Sequence, residues 1–118
     1  MSFLVTGNVL TEWTRLTGNT ATTLFTAKKK TTIVSMSFKE RAGGTPTLSV
    51  VRHDNANNVD YSFRNAEAVT VNQLVTIDLI FTLNNGDTIK ATSGDAAGNF
   101  DCFIDYLAPD LSVQGDHS

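Results

Sequence analysis

A chain of 118 residues, 41% of them hydrophobic, can fill one core and is too short for two. Only 18% of the residues are charged and the net charge is −3, so no broad positive field exists to gather nucleic acid or anionic lipid. The single cysteine, Cys102, excludes an intrachain disulfide.

Thr, Ser and Asn are abundant where a helical protein would carry Glu, Lys and Gln, and these residues suit pleated sheets and turns. The N-terminus, MSFLVTG, lacks the basic start and apolar stretch of a signal peptide. No apolar run approaches the roughly 20 residues of a membrane span. The expectation is a protein made and kept in an aqueous, cytoplasm-like setting.

In chain order, residues 1–19 read as an arm with many apolar side chains: Phe3, Leu4, Val5, Val9, Leu10 and Trp13. Residues 10–16 come close to helical spacing, while their threonines and Trp13 favour a strand or extended arm, and both readings stay open. Residues 22–27 read as a strand, Lys28-Lys29-Lys30 as a polar hairpin tip, and 31–39 as a second strand with Val34, Met36 and Phe38 on one face. Residues 42–45 form a Gly-containing loop, and Pro46 opens a strand over 47–52 with Leu48 and Val50 inward.

The Asn/Asp-rich stretch 53–60 predicts an exposed loop before a short strand at 61–64. Residues 74–83 alternate most clearly, with Val75, Ile77, Leu79, Phe81 and Leu83 on one face. Asn84-Asn85-Gly86-Asp87 then predicts a tight hairpin returning over 87–92. A last strand carries Phe100, Cys102, Ile104 and Tyr106 inward, against Asp101, Phe103 and Asp105 outward, and Pro109 ends it. The organisation is an arm (1–19), a domain (20–108) and a tail (109–118). The domain is all-β: an antiparallel β-sandwich, jelly-roll-like, with an extended N-terminal arm.

Few residues are placed to do chemistry. The two histidines, His53 and His117, give no Ser or Cys nucleophile a partner, and Cys102 reads as a core thiol. Glu12, Glu40 and Glu67 lie in separate segments expected to be exposed, and Asp78, Asp101 and Asp105 mark wet strand faces. The oxygen-rich loops 54–60 and 95–101 depart from calcium-loop spacing, so turn formation explains them and no metal or cofactor is expected. Trp13, Tyr61 and Phe63 are the aromatic candidates for a carbohydrate platform.

The segments TTLFTA (22–27), TTIVSMSF (31–38) and LNNGDTIK (83–90) resemble the small β-sandwich structural and decoration proteins of tailed-bacteriophage particles. That resemblance implies a non-enzymatic virion protein, a homotrimer or other symmetric ring, fixed to capsid or tail and brought to the virion from the host cytoplasm. A capsid decoration (cement) subunit on the major capsid protein is the first expectation. A tail or fibre module that binds host carbohydrate is the second. The arm residues Phe3, Leu4, Val5, Val9, Leu10 and Trp13 are the expected contact with a neighbouring subunit.

Overall fold

Alternating apolar and polar residues can bury one face of a strand, and two such faces must close on each other. In the computed structural model, which describes residues 9–107, they do so as two antiparallel sheets, with no helix among the described residues. The strands are β1 (Val9–Arg15), β2 (Thr22–Thr26), β3 (Thr31–Glu40), β4 (Thr47–Asp54), β5 (Val59–Ala68), β6 (Leu74–Ile77), β7 (Phe81–Leu83), β8 (Thr88–Ser93) and β9 (Phe100–Leu107). The first sheet runs β1-β9-β3-β6, with β7 also on β3, and the second runs β2-β8-β4-β5.

Taken as one interrupted strand, β6 and β7 complete the pairings of a long hairpin rolled up on itself: β1 with β9, β2 with β8, β3 with β6 and β7, and β4 with β5. This is the eight-stranded jelly roll. The sandwich expected from the strand pattern is therefore present, in this topology.

The connections differ from the expectation. Lys28-Lys29-Lys30 joins β2 of the second sheet to β3 of the first, and Asn84-Asn85-Gly86-Asp87 joins β7 of the first to β8 of the second. Neither is a hairpin; each is a corner between layers. Gly86 still supplies a positive φ of 93°, but its N–H donates to the Ala27 carbonyl, tying the two corners together. Among the described residues the connection between β4 and β5 is the one hairpin that stays within a sheet, and β5 is much longer than the predicted strand at 61–64.

Residues 9–15, expected within an arm apart from the sandwich, form its outermost strand and no helix. The reason lies in period 2: Leu16 is buried, Thr14 and Glu12 follow it on the same side, and β9 offers a free edge to pair with. The other arm residues, Phe3, Leu4 and Val5, lie outside the described residues, as do the tail and His117.

The core contains Ile33, Met36, Phe38, Leu48, Val50, Ile77, Leu83, Ile89, Phe100, Cys102 and Ile104, all buried. Two predicted phases slip at bulges. β3 shifts register against β9 between Ile33 and Ser35, so Ile33 takes the fully buried position and Val34 is only half-buried. The predicted strand 74–83 is broken at 78–80: Ile77 pairs with Met36 and Phe81 with Ile33, so three residues span two of β3. Leu79 thereby leaves the interior and is 48% exposed.

Candidate functional site

Among the described residues no strand pairs with the outer edge of β1, which is the margin of the first sheet. Its main-chain parity is fixed by the Leu16 N–H, which donates to the Phe100 carbonyl at 2.9 Å. Leu16 and the even residues before it therefore spend their N–H and C=O groups on β9. Val9, Thr11, Trp13 and Arg15 turn theirs toward the open edge. The same four side chains line the outer face of the sheet, where Trp13 lies opposite Phe103 and Val9 opposite Leu107. Trp13 is 74% exposed and Val9 55%.

Polar groups frame this apolar centre on both sides. The Thr11 hydroxyl donates to Asp105 at 2.6 Å, and the Ser35 hydroxyl to the other oxygen of the same carboxylate at 2.8 Å. On the far side the Arg15 Nε donates to Asp101 at 2.7 Å, and Arg41 approaches the same oxygen at 3.7 Å. The bond to Asp101, with its charge, raises the Arg15 pKa further, so the guanidinium stays charged. The result is a flat face with an exposed tryptophan at its centre and fixed charges around it.

The other three edges are interrupted. β2 shifts register against β8 between Thr23 and Phe25, β5 shifts twice against β4, and the remaining edge is divided into β6 and β7. β1 alone holds an unbroken ladder, from Val9 opposite Leu107 to Arg15 opposite Asp101. Bulges and breaks are how sheets discourage strand addition, and β1 lacks both, along with proline and lysine.

The predicted aromatic set is divided between opposite sides of the sandwich. Trp13 lies on β1, whereas Tyr61 and Phe63 lie on β5, the far edge of the second sheet. There the displaced segment 78–80 opens a cleft of about 380 Å³ lined by Arg52, Asp54, Tyr61, Phe63, Leu79 and Phe81. The Phe63 and Phe81 rings meet at 5.1 Å between centroids, and Tyr61 is 54% exposed. The polar side chains are largely committed: Arg52 donates to Asp87 at 2.7 Å, and the Asp54 carboxylate accepts from Ala56, Asn57 and the Asn57 side chain. The bond from the Asn57 side chain, with the N–H groups, holds the Asp54 carboxyl below its ordinary pKa.

A second cleft, about 580 Å³, opens between the β1 and β2 edges and is lined by Glu12, Thr14, Phe25, Lys28, Lys29 and Tyr106 among others. Leu10 points to this side of β1, as the partner of Tyr106, and is 42% exposed.

The residues considered for chemistry are not brought together. Cys102 is buried, and burial, aided by the charge of Asp101, pushes its thiol up to about 12, so no thiolate nucleophile is supplied. His53 Nδ1 lies 2.7 Å from Asp60. Glu67 pairs with Arg64 at 2.9 Å, and Glu12 lines the β1/β2 cleft. Among the described residues no group of three or more His, Cys, Asp or Glu could hold a metal ion.

Glu40, expected to be exposed, is fully buried. Its carboxylate accepts N–H bonds from Ala42, Gly43 and Gly44 and from Asn72, closing its own loop and the one before β6. The bond from Asn72 is the largest influence on its pKa; together with the other N–H groups it outweighs burial and holds the carboxyl below its ordinary value. The sequence signal for this was a carboxylate directly before a Gly-rich turn full of unpaired N–H groups.

No family model matches the chain, and no curated protein matches it. One solved structure to which it is similar is titled "Structure of infectious bursal disease virus Gx strain": 9% identity and a TM-score of 0.48 over 96% of this chain and 32% of that one. The chain thus spans about a third of the length of that protein.

Proposed function

We propose that this chain is a non-enzymatic structural subunit of a bacteriophage virion, a capsid decoration subunit that associates with itself and with the major capsid protein. The observation that carries the reading is the β1 margin, an unbroken edge with Trp13 74% exposed on a face framed by fixed charges. A large aromatic side chain in that position is costly for a solitary protein and useful for one that docks. The resemblance of segments 22–27, 31–38 and 83–90 to phage decoration proteins supports the particle as the setting, with a trimer or other ring as the implied assembly. Such a protein is made in the host cytoplasm and ends in the virion.

The test is sedimentation of particles from the virus that encodes the chain, probed with an antibody to it. A stoichiometric, salt-resistant signal in the particle band is expected. A signal confined to the soluble fraction overturns the reading.

A second reading, a host-carbohydrate module of tail or fibre, draws on the Tyr61 and Phe63 cleft, where an exposed aromatic ring stands beside Arg52 and Asp54.

A further inference from the structure

We propose that the free edge of β1 is completed by β1 of a second copy, antiparallel across a two-fold axis that passes beside Trp13. This rests on and deepens the self-association in the functional reading, with a two-fold pair in place of the trimer or other ring that the resemblance implies.

The occupant follows from register and charge. A second β1 must hydrogen-bond through the residues whose N–H and C=O groups face outward: Val9, Thr11, Trp13 and Arg15. Three two-fold registers satisfy that parity and pair at least five residues of the described strand. With Glu12 on the axis, two carboxylates lie directly opposite each other, which is unfavourable. With Thr11 on the axis, the apolar Leu10 lies against Glu12 of the second copy, and Arg15 lies beyond the paired residues.

With Trp13 on the axis, neither conflict arises. Trp13 faces Trp13 of the second copy, Thr11 faces its Arg15, and Glu12 faces its Thr14. The two sheets then join into one, and the row Phe103-Trp13 continues into Trp13-Phe103 of the second copy, covering the most exposed large hydrophobic side chain among the described residues. Each Arg15 keeps its Asp101 and gains a place beside Thr11, next to the Asp105 to which that Thr11 is bonded. The charge pattern of the margin is thus complementary to itself in this register.

The pairing predicts which positions can be cross-linked. Glu12 and Thr14 form a non-hydrogen-bonded pair across the axis, with Cα atoms about 4.5 Å apart, inside the range of a disulfide. Each lies too far from its own counterpart to bridge. The purified Glu12→Cys chain mixed with the Thr14→Cys chain should give a disulfide-linked dimer on mild oxidation, and either chain alone should not. The native Cys102 is buried and does not compete.

Light scattering of the unmodified protein should rise with concentration from 12.8 kDa to twice that mass. Trp13→Lys, on an exposed position, should weaken dimerisation at least about tenfold with an unchanged circular dichroism spectrum. The pairing is overturned by a monomer at every concentration, by cross-linking of Glu12→Cys with itself, or by dimerisation without the mixed cross-link. Loss of the pairing with particle association intact leaves the functional reading standing. A dimer that never enters particles overturns that reading and leaves the pairing.

Discussion

Among the described residues, Glu40 and Asp87 are the two carboxylates that the fold encloses, and each closes a junction between the sheets. Burial alone would raise the Asp87 carboxyl. The Arg52 guanidinium, at 2.7 Å, and the N–H groups of Asn84 and Asn55 outweigh it, so the net displacement is downward. Both groups therefore titrate lower in the folded chain than their ordinary values of 4.5 for Glu40 and 3.8 for Asp87. A depressed folded pKa means that the unfolded chain binds protons first. The stability these groups contribute is complete above the unfolded values and declines as pH falls through the folded ones. Thermal midpoints should hold from neutral pH to about pH 5 and drop below it. Glu40→Gln, which replaces an acceptor oxygen by an NH2 among N–H donors, should lower the midpoint at neutral pH and flatten the acid decline. A titration of the midpoint for both proteins checks this, and an unchanged acid profile in Glu40→Gln would remove Glu40 from the account.

At the scale of elements, the loop before β9 packs against the end of β1 and adds to the ladder that β9 gives it. Gly98 has a φ of +86°, and a Cβ built there would lie 2.2 Å from the Leu16 carbonyl oxygen, which closes off the end of β1. Only a residue without a side chain lets the two backbones approach so closely. Gly98→Ala should destabilise the fold by about 1–2 kcal/mol from its backbone conformation alone, with a further loss from the contact. Chemical denaturation would measure it, and a change near zero would mean that the loop shifts freely and does not clamp β1. The interruption between β6 and β7 works in the opposite sense: it releases Leu79 from the interior and opens the cleft beside Tyr61.

The whole molecule keeps its two aromatic surfaces apart. The β1 and β2 edges lie on one side of the sandwich, and β5 with β6 and β7 on the other. A substitution on one side should therefore be silent on the other. If the Tyr61 cleft binds carbohydrate, a glycan array should show saturable binding that Tyr61→Ala abolishes and Trp13→Ala leaves intact. Loss of binding in both variants would contradict the separation, and no binding to any glycan would dismiss the second reading.

The strand alternation was legible in the sequence because burial of one sheet face imposes period 2 on each strand locally. Leu48 and Val50, Phe38, and Phe100, Cys102 and Ile104 fell inward as that period requires. The exposed rings of Trp13 and Tyr61 could also be named in advance, whereas Phe63 is half-buried against Phe81. Which strands pair was decided only in three dimensions. Asn84-Asn85-Gly86-Asp87 has the residues of a hairpin turn, yet β8 leaves for the other sheet, because β2 and β4 there offer it two partners. The bulges at Val34 and at 78–80, the enclosure of Glu40, and the parity that turns the Trp13 main chain outward likewise depend on neighbours distant in the chain. Local spacing carries no information about those neighbours.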